Sequence, residues 1–320
     1  MTMVNKTGYF SHPDCKGHDM GRGHPECPER MDAIEDRLLA SGVFAGLERR
    51  DAPLAALDAL TLAHDTGHVG NVRDLNDRLQ MALKSGSARL AQIDPDTAMS
   101  GGSFNAMLRG AGAALAATDA VMAGELENAF CATRPPGHHA CRDRAMGFCV
   151  FNNVALAALH ALEHHGLQRV AIVDFDVHHG NGTEDIVAGD DRILMVSFYQ
   201  HPFYPYGGST SGAANLVNVP VPANTRGATI REVVETQWLP RLHAHQPEMI
   251  FISAGFDAHK DDDLGQMGLV EADYRWMTEQ IKVVAKQYGQ GRIVSCLEGG
   301  YNLSALGRSV EAHVRALADI

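Results

Sequence analysis

Residues 169–183 read RVAIVDFDVHHGNGT, an unbroken apolar run that gives way at once to acids, histidines and glycines. A continuous run of Val and Ile, rather than an alternating one, is the pattern of a strand buried on both faces of a parallel sheet. Residues 193–197, 249–253 and 293–297 have the same character, and 128–133 is a weaker example. Segments of helical length lie between them. Residues 103–123 end before Gly124, and 153–165 open on an Asn able to cap and stop at Gly166. Residues 271–288 and 303–318 behave likewise, and 229–243 reads as a helix with a kink at Pro240. This alternation predicts an α/β fold, a central parallel β-sheet flanked by helices and joined by right-handed crossovers. With no linker, composition shift or repeat, residues 1–320 read as a single domain. Residues 50–102 are harder to read and include long loops.

Polar residues collect where the apolar runs end, which in an open α/β sheet is where ligands bind. Asp174, Asp176 and His178 are spaced by two, so in extended chain they point one way while Phe175 and Val177 pack on the other. Asp174 alone would serve as a helix cap. Two carboxylates and an in-phase histidine at the end of a buried strand are better explained by a cation, because the carboxylates would otherwise repel and be poorly hydrated. Residues 249–253 lead to Asp257, a third ligand for the same rim. Asp-His-Asp leaves a coordination position open, as catalytic sites do. Nitrogen and oxygen donors suit zinc, with iron(II), manganese and cobalt also acceptable. After 128–133 comes RPPGHH (134–139), whose His138 and His139 supply a candidate base and an electrostatic partner. After 293–297 comes EGGY (298–301), where two glycines let Tyr301 approach freely.

Together RPPGHHA (134–140), GFCVFNNVA (147–155), VDFDVHHGNGT (173–183), SAGFDAHKDDDLG (253–265) and LEGGYN (297–302) resemble the zinc-dependent histone deacetylase and acetylpolyamine amidohydrolase family. The match runs from HPECPERM (24–31) to the C-terminus, and RPPGHH with Asn181 is like the class II branch. The resemblance implies the arginase–deacetylase fold and Zn2+ held by Asp176, His178 and Asp257. It implies His139 as general base, His138 as electrostatic partner held by Asp174, and Asn181 orienting His139 more weakly than a carboxylate would. Tyr301 would donate to the scissile carbonyl. Phe148 and Tyr204 would line an acyl-lysine tunnel, and Leu264 would lie at the loop where polyamine-selective members place a glutamate. A structural K+ would sit among Asp174, Asp176, His178, Ser197 and Phe198.

The expected reaction is hydrolysis of an N-acetyl-lysine-type amide to free amine and acetate, on a peptide or a small acyl-amine. Acetylpolyamine hydrolysis is the alternative, favoured by Asp96-Thr-Ala-Met-Ser100 and by the acids Asp261, Asp262 and Asp263, which read as a solvated acidic turn. A non-catalytic acyl-amine binding protein and a two-manganese ureohydrolase are the rivals from other classes. The latter needs bridging carboxylates that 178–181 lack.

Bulk properties agree with an ordinary enzyme: 45% apolar and 21% charged residues. A net charge of −12 argues against nucleic acid as a partner. No apolar run is long enough to span a membrane and no export signal is apparent, so the chain reads as cytoplasmic. Six cysteines without a Cys-x-x-Cys pair fit reduced thiols, with Cys141 and Cys149 near the expected chemistry. The 50–102 segment leaves room for a homo-oligomer interface.

Overall fold

The computed structural model describes residues 6–87, 90–209 and 211–320, so the first five residues, two within 50–102 and residue 210 lie outside it. Among the described residues ten strands are formed: β1 (Thr7–Ser11), β2 (Leu47–Asp51), β3 (Ala91–Asp94), β4 (Thr97–Met99), β5 (Asn128–Cys131), β6 (Val170–Asp174), β7 (Ile193–Gln200), β8 (Leu216–Val221), β9 (Met249–Ala254) and β10 (Ile293–Leu297). The α-helices are α1 (Glu29–Ala40), α2 (Leu57–Leu60), α3 (Thr66–Lys84), α4 (Ser103–Met122), α5 (Asn153–Glu163), α6 (Asn181–Val187), α7 (Gly227–Val233), α8 (Leu239–His245), α9 (Glu271–Tyr288) and α10 (Leu303–Ala318).

Eight strands form one sheet in the order β2-β1-β5-β10-β9-β6-β7-β8. Every pair in it is parallel. The apolar runs work as their composition requires. In β6, Val170 and Ile172 join the core on the α4–α5 side, while Ala171 and Val173 join the core on the α9–α10 side. In β9, Met249 and Phe251 face the first core and Ile250, Ile252 and Ala254 the second. The period-2 alternation of a strand thus divides one hydrophobic run between two layers of helices.

Several expectations need correction. The cap of α5 is Asn152, whose Oδ1 accepts from the Ala155 amide at 3.0 Å, and not Asn153. Residues 227–245 are helical throughout, so the helix does not stop at Pro240. A π-helical turn over Val234–Trp238 separates α7 from α8, and Pro240 falls in the first turn of α8, where its missing N–H is not needed. Edge strands β2 and β8 were missed, and so was β1. Residues 50–102, whose elements are not legible from the sequence, contain the long helix α3 and the β3–β4 hairpin.

Two buried histidines tie distant elements together. His64 Nδ1 donates to the Cys141 carbonyl at 2.9 Å, while its Nε2 accepts from the Asn152 amide at 2.9 Å. His313 lies between Thr278 Oγ1 at 2.7 Å and Ser295 Oγ at 2.9 Å. Burial pushes both imidazoles down to about 3. Unfolded histidine titrates near ~6.5, so below that pH the unfolded chain binds protons that the folded chain refuses. Stability supplied by the neutral pair is complete above this range and falls as pH drops through it. The two sites together contribute a slope of about 2.7 kcal/mol per pH unit between roughly pH 5.5 and 4. Denaturant unfolding of wild type and of His64→Gln/His313→Gln between pH 7.5 and 4.5 checks this: stability of the wild type should fall more steeply below pH 6, and an equal pH dependence in the two proteins contradicts it.

Candidate active site

The loops after β5, β10, β9 and β6, four neighbours in the sheet, bring the candidate residues together at the carboxyl ends of the strands. After β6 the chain turns instead of continuing as a strand, and Asp174 Oδ1 accepts from the Asp176 amide at 3.0 Å. Asp174 does not cap a helix. Its other oxygen, Oδ2, meets His138 Nδ1 at 3.0 Å. Phe175 and Val177 are fully buried, as their alternation with the polar residues predicts.

Asp176, His178 and Asp257 offer ligand atoms that all lie within 4.8 Å of one another. His178 Nδ1 is 3.0 Å from Asp176 Oδ1 and 3.1 Å from Asp257 Oδ2. Backbone amides hold the carboxylates in place: Val177 donates to Asp257 Oδ1 at 2.9 Å and Gly299 to Asp176 Oδ2 at 2.9 Å. A Cβ on Gly299 would fall 2.1 Å from Asp257 Oδ2, so only glycine allows this approach. Burial and the Asp176 carboxylate push the Asp257 carboxyl up to about 7. Burial opposes charge on His178, but its hydrogen bonds to Asp176 and Asp257 raise it to about 10. The pocket therefore attracts positive charge. Apart from His178 Nδ1 at 3.1 Å, Asp257 Oδ2 meets no donor among the described residues, and the N/O donor set fits a divalent ion.

His138 and His139 pack with ring centroids 4.1 Å apart but differ in electrostatics. Burial disfavours charge on His138, yet the Asp176 and Asp174 carboxylates outweigh it and hold the imidazole well above its ordinary value. His139 is held well below by burial and by the neighbouring His138 and His178 rings. Its Nδ1 lies 2.8 Å from Asn181 Oδ1, so an Nδ1–H donates there and Nε2 is left as a free base. The Asn181 amide nitrogen is itself aimed by Met146 Sδ at 3.2 Å and Cys141 Sγ at 3.5 Å.

Two carboxylates given no role in the sequence reading position this machinery. Glu298 is fully buried. It accepts from the Gly137 amide at 2.6 Å, the His138 amide at 3.1 Å and Ser253 Oγ at 3.0 Å, which fixes the tandem-histidine loop to β9 and β10. Asp262 corrects the solvated-turn reading. It is 5% exposed and its Oδ2 accepts from the Tyr301 and Asn302 amides at 2.6 and 2.9 Å. Its Oδ1 accepts from the Leu264 amide at 3.0 Å. Asp261, itself exposed, pairs with Arg308 at 3.0 Å, and Asp263 is exposed. Sequence held a signal for Glu298 in its place at a strand end, but none for Asp262 among three identical neighbours.

The Tyr301 ring lies edge-on to Phe148 with centroids 5.9 Å apart, and the Arg30 guanidinium sits 5.0 Å from its centroid. Burial and Asp257 hold the Tyr301 hydroxyl well above 10, so it stays a proton donor. Phe148 has φ 68°, and its amide donates to Thr97 Oγ1 at 2.9 Å. Gly147 donates to Asp96 Oδ1 at 3.0 Å, so the β3–β4 hairpin sets this wall. Tyr204 stands edge-on to His139 at 5.2 Å and Phe203 stacks on His178 at 5.4 Å. Leu264 lies partly buried on the Asp262 side. Of the residues expected around potassium, Asp174 and Ser197 are register partners and Phe198 stacks on Trp238. Ser197 Oγ donates to Asn218 Oδ1 at 2.7 Å. Burial pushes the Cys141 thiol up to about 11 and the Cys149 thiol well above 9, so neither is poised as a thiolate nucleophile.

The sequence profile described as "Histone deacetylase domain" matches residues 24–317. A Pseudomonas aeruginosa protein, "Histone deacetylase-like amidohydrolase", is 36% identical over 94% of this chain and 83% of its own length. The Dictyostelium discoideum "Type-2 histone deacetylase 2" is 42% identical over 70% of this chain, which spans 14% of that much longer protein. A crystal structure titled "HDA15 HD domain" superposes with a TM-score of 0.88 at 31% identity, covering 99% of this chain and 89% of that one. No helix among the described residues is long and apolar enough to cross a membrane. The fold and the profile agree, and the chain belongs to the histone deacetylase domain family.

Proposed function

We propose that the protein is a zinc-dependent deacetylase that hydrolyses N-acetyl-lysine-type amides to the free amine and acetate. The observation that carries this reading is the convergence of the Asp176–His178–Asp257 group, a neutral His139 and a protonated Tyr301 at one rim. A divalent ion held by that group would supply Lewis acidity to the acyl carbonyl and acidify the attacking water.

The chain's own residues account for the rest. His139, with Nδ1 tied to Asn181, takes the water proton at Nε2 and returns it to the departing amine. His138, kept cationic by Asp174 and Asp176, adds positive charge beside the developing oxyanion. Tyr301 donates its hydroxyl proton as a hydrogen bond to that oxygen, and Glu298 and Asp262 hold the backbones of the two loops that carry these groups. Phe148 and Tyr204 form apolar walls suited to a linear methylene chain. Asp174, Ser197 and Phe198, with the 176 and 178 backbones, are our candidates for the structural potassium.

Leu264 and the internal engagement of Asp261 and Asp262 support a lysine-type substrate, because little uncommitted negative charge is left beside that loop. The opposite observation is the Asp94–Asp96 pair on the hairpin beside Gly147. Burial and the Asp96 neighbour push the Asp94 carboxyl up to about 6, and this pair would favour an amine-bearing acetylpolyamine.

Three outcomes are expected. Dialysis against a chelator abolishes hydrolysis and zinc restores it in the wild type but not in Asp176→Ala; full activity in metal-free protein contradicts the metal assignment. Tyr301→Phe lowers kcat by about 10²–10³ with KM little changed, whereas a non-catalytic binder shows no turnover even before substitution. In side-by-side kinetics, kcat/KM for an acetyl-lysine peptide exceeds that for acetylputrescine and acetylspermidine. A large preference for the polyamines would instead select the acetylpolyamine reading.

A further inference from the structure

A second convergence of metal-type donors lies far from this rim. Helices α4 and α5 each lead into a strand, β5 and β6, so their C-terminal ends sit at the amino edge of the sheet, opposite the candidate active site. Asp119 lies in the last turn of α4 and His160 in the last turn of α5, with His164 at its C-cap and His165 just beyond. Both His160 Nε2 and His165 Nε2 lie 2.7 Å from the same oxygen, Asp119 Oδ1. The three donor atoms fall within 4.8 Å of one another. The His164 ring packs against His160 with centroids 4.7 Å apart.

We propose that Asp119, His160 and His165 form a second, independent site for a divalent transition ion of the zinc, nickel or copper class, clamping α4 to α5. Two imidazoles and one carboxylate are a borderline donor set that prefers such ions to magnesium or calcium. Two imidazole nitrogens on one carboxylate oxygen is an arrangement in which an ion, at about 2.0–2.2 Å from each donor, can replace the shared hydrogen bonds once these contacts open. The ends of both helices carry partial negative charge, which favours a cation there. The imidazoles are mostly sheltered, at 15% and 24% exposed, and Asp119 is 56% exposed, so water can complete the coordination shell. At the far edge of the sheet, the ion takes no part in the hydrolysis and stabilises the helix layer behind β5 and β6 by binding only the folded state.

The test uses full-length chain stripped of metal, loaded with zinc and dialysed, with metal counted per chain. Wild type is expected to hold two equivalents, Asp176→Ala one, and His160→Ala/His165→Ala one. The double variant should keep its acetyl-amide turnover, because its active-site ion is untouched. Zinc beyond the first equivalent should raise the Tm of wild type and leave that of the double variant unchanged. Asp119→Asn, which preserves shape, should weaken the second equivalent at least tenfold and covers the case in which the double variant does not fold. Cobalt(II) bound to Asp176→Ala should show a visible spectrum that disappears when His160 and His165 are also replaced. Equal stoichiometry and equal Tm response in wild type, Asp119→Asn and the double variant would overturn the proposal. The same holds if the wild type retains a single equivalent that Asp176→Ala loses. Loss of zinc-dependent turnover with the second equivalent intact would instead count against the deacetylase reading alone.

Discussion

Two carboxylates, Asp176 and Asp257, are forced together at the ends of adjacent parallel strands, and the rest of the site is arranged around that constraint. Strands β6 and β9 pair in register through Asp174 and Ser253, which delivers both acids to one buried rim. Unpaired buried charges of this kind cost several kcal/mol each. The structure answers with amides from Val177 and Gly299, with the His178 ring between the acids and with His138 nearby. Gly255 and Gly299 follow from the same crowding, since a Cβ at either position would fall 2.1 Å from a carboxylate oxygen.

Charge at this centre also separates the two histidines that follow β5. They are neighbours in sequence and in space, yet His138 faces Asp174 and Asp176 while His139 faces Asn181. An amide in place of a carboxylate at 181 keeps His139 from being pulled toward the charged form, which suits the proton-accepting role we propose for it. The helpers lie one layer further out. Glu298 fixes the backbone of the histidine loop, and Asp262 fixes that of the tyrosine loop. Each is buried, and each satisfies two or more backbone amides that would otherwise be left without an acceptor.

The sequence was legible where its physics was one-sided. Strands β6, β7, β9 and β10 are buried on both faces and read as apolar runs, and the polar residues after them stand out because the run stops. Strands β2 and β8 are edges. β2 is LERRD, charged and half exposed, and β8 carries the exposed Pro220, so neither has the composition of a buried strand. The π turn ahead of Pro240 could not be anticipated, because a proline near a helix interior normally signals a kink. Asp262 was hidden for a different reason. Three consecutive acids carry no periodicity that says which one turns inward, and only the Tyr301 and Asn302 amides across from it decide the matter. Asp174, Asp176, His178, Asp257, His138, His139 and Tyr301 needed no such distant partner to be noticed, since each sits just past a strand end.

The proposed hydrolysis requires a single divalent ion among Asp176, His178 and Asp257, with one side open to His139 and Tyr301. Diffraction data collected at the zinc edge from crystals grown with a hydroxamate test it most directly. The expected result is one anomalous peak at this rim, about 2.0–2.2 Å from His178 Nδ1 and the two carboxylates, with the hydroxamate bridging toward Tyr301. The account is contradicted by an empty rim, or by a pair of peaks there about 3.5–4 Å apart.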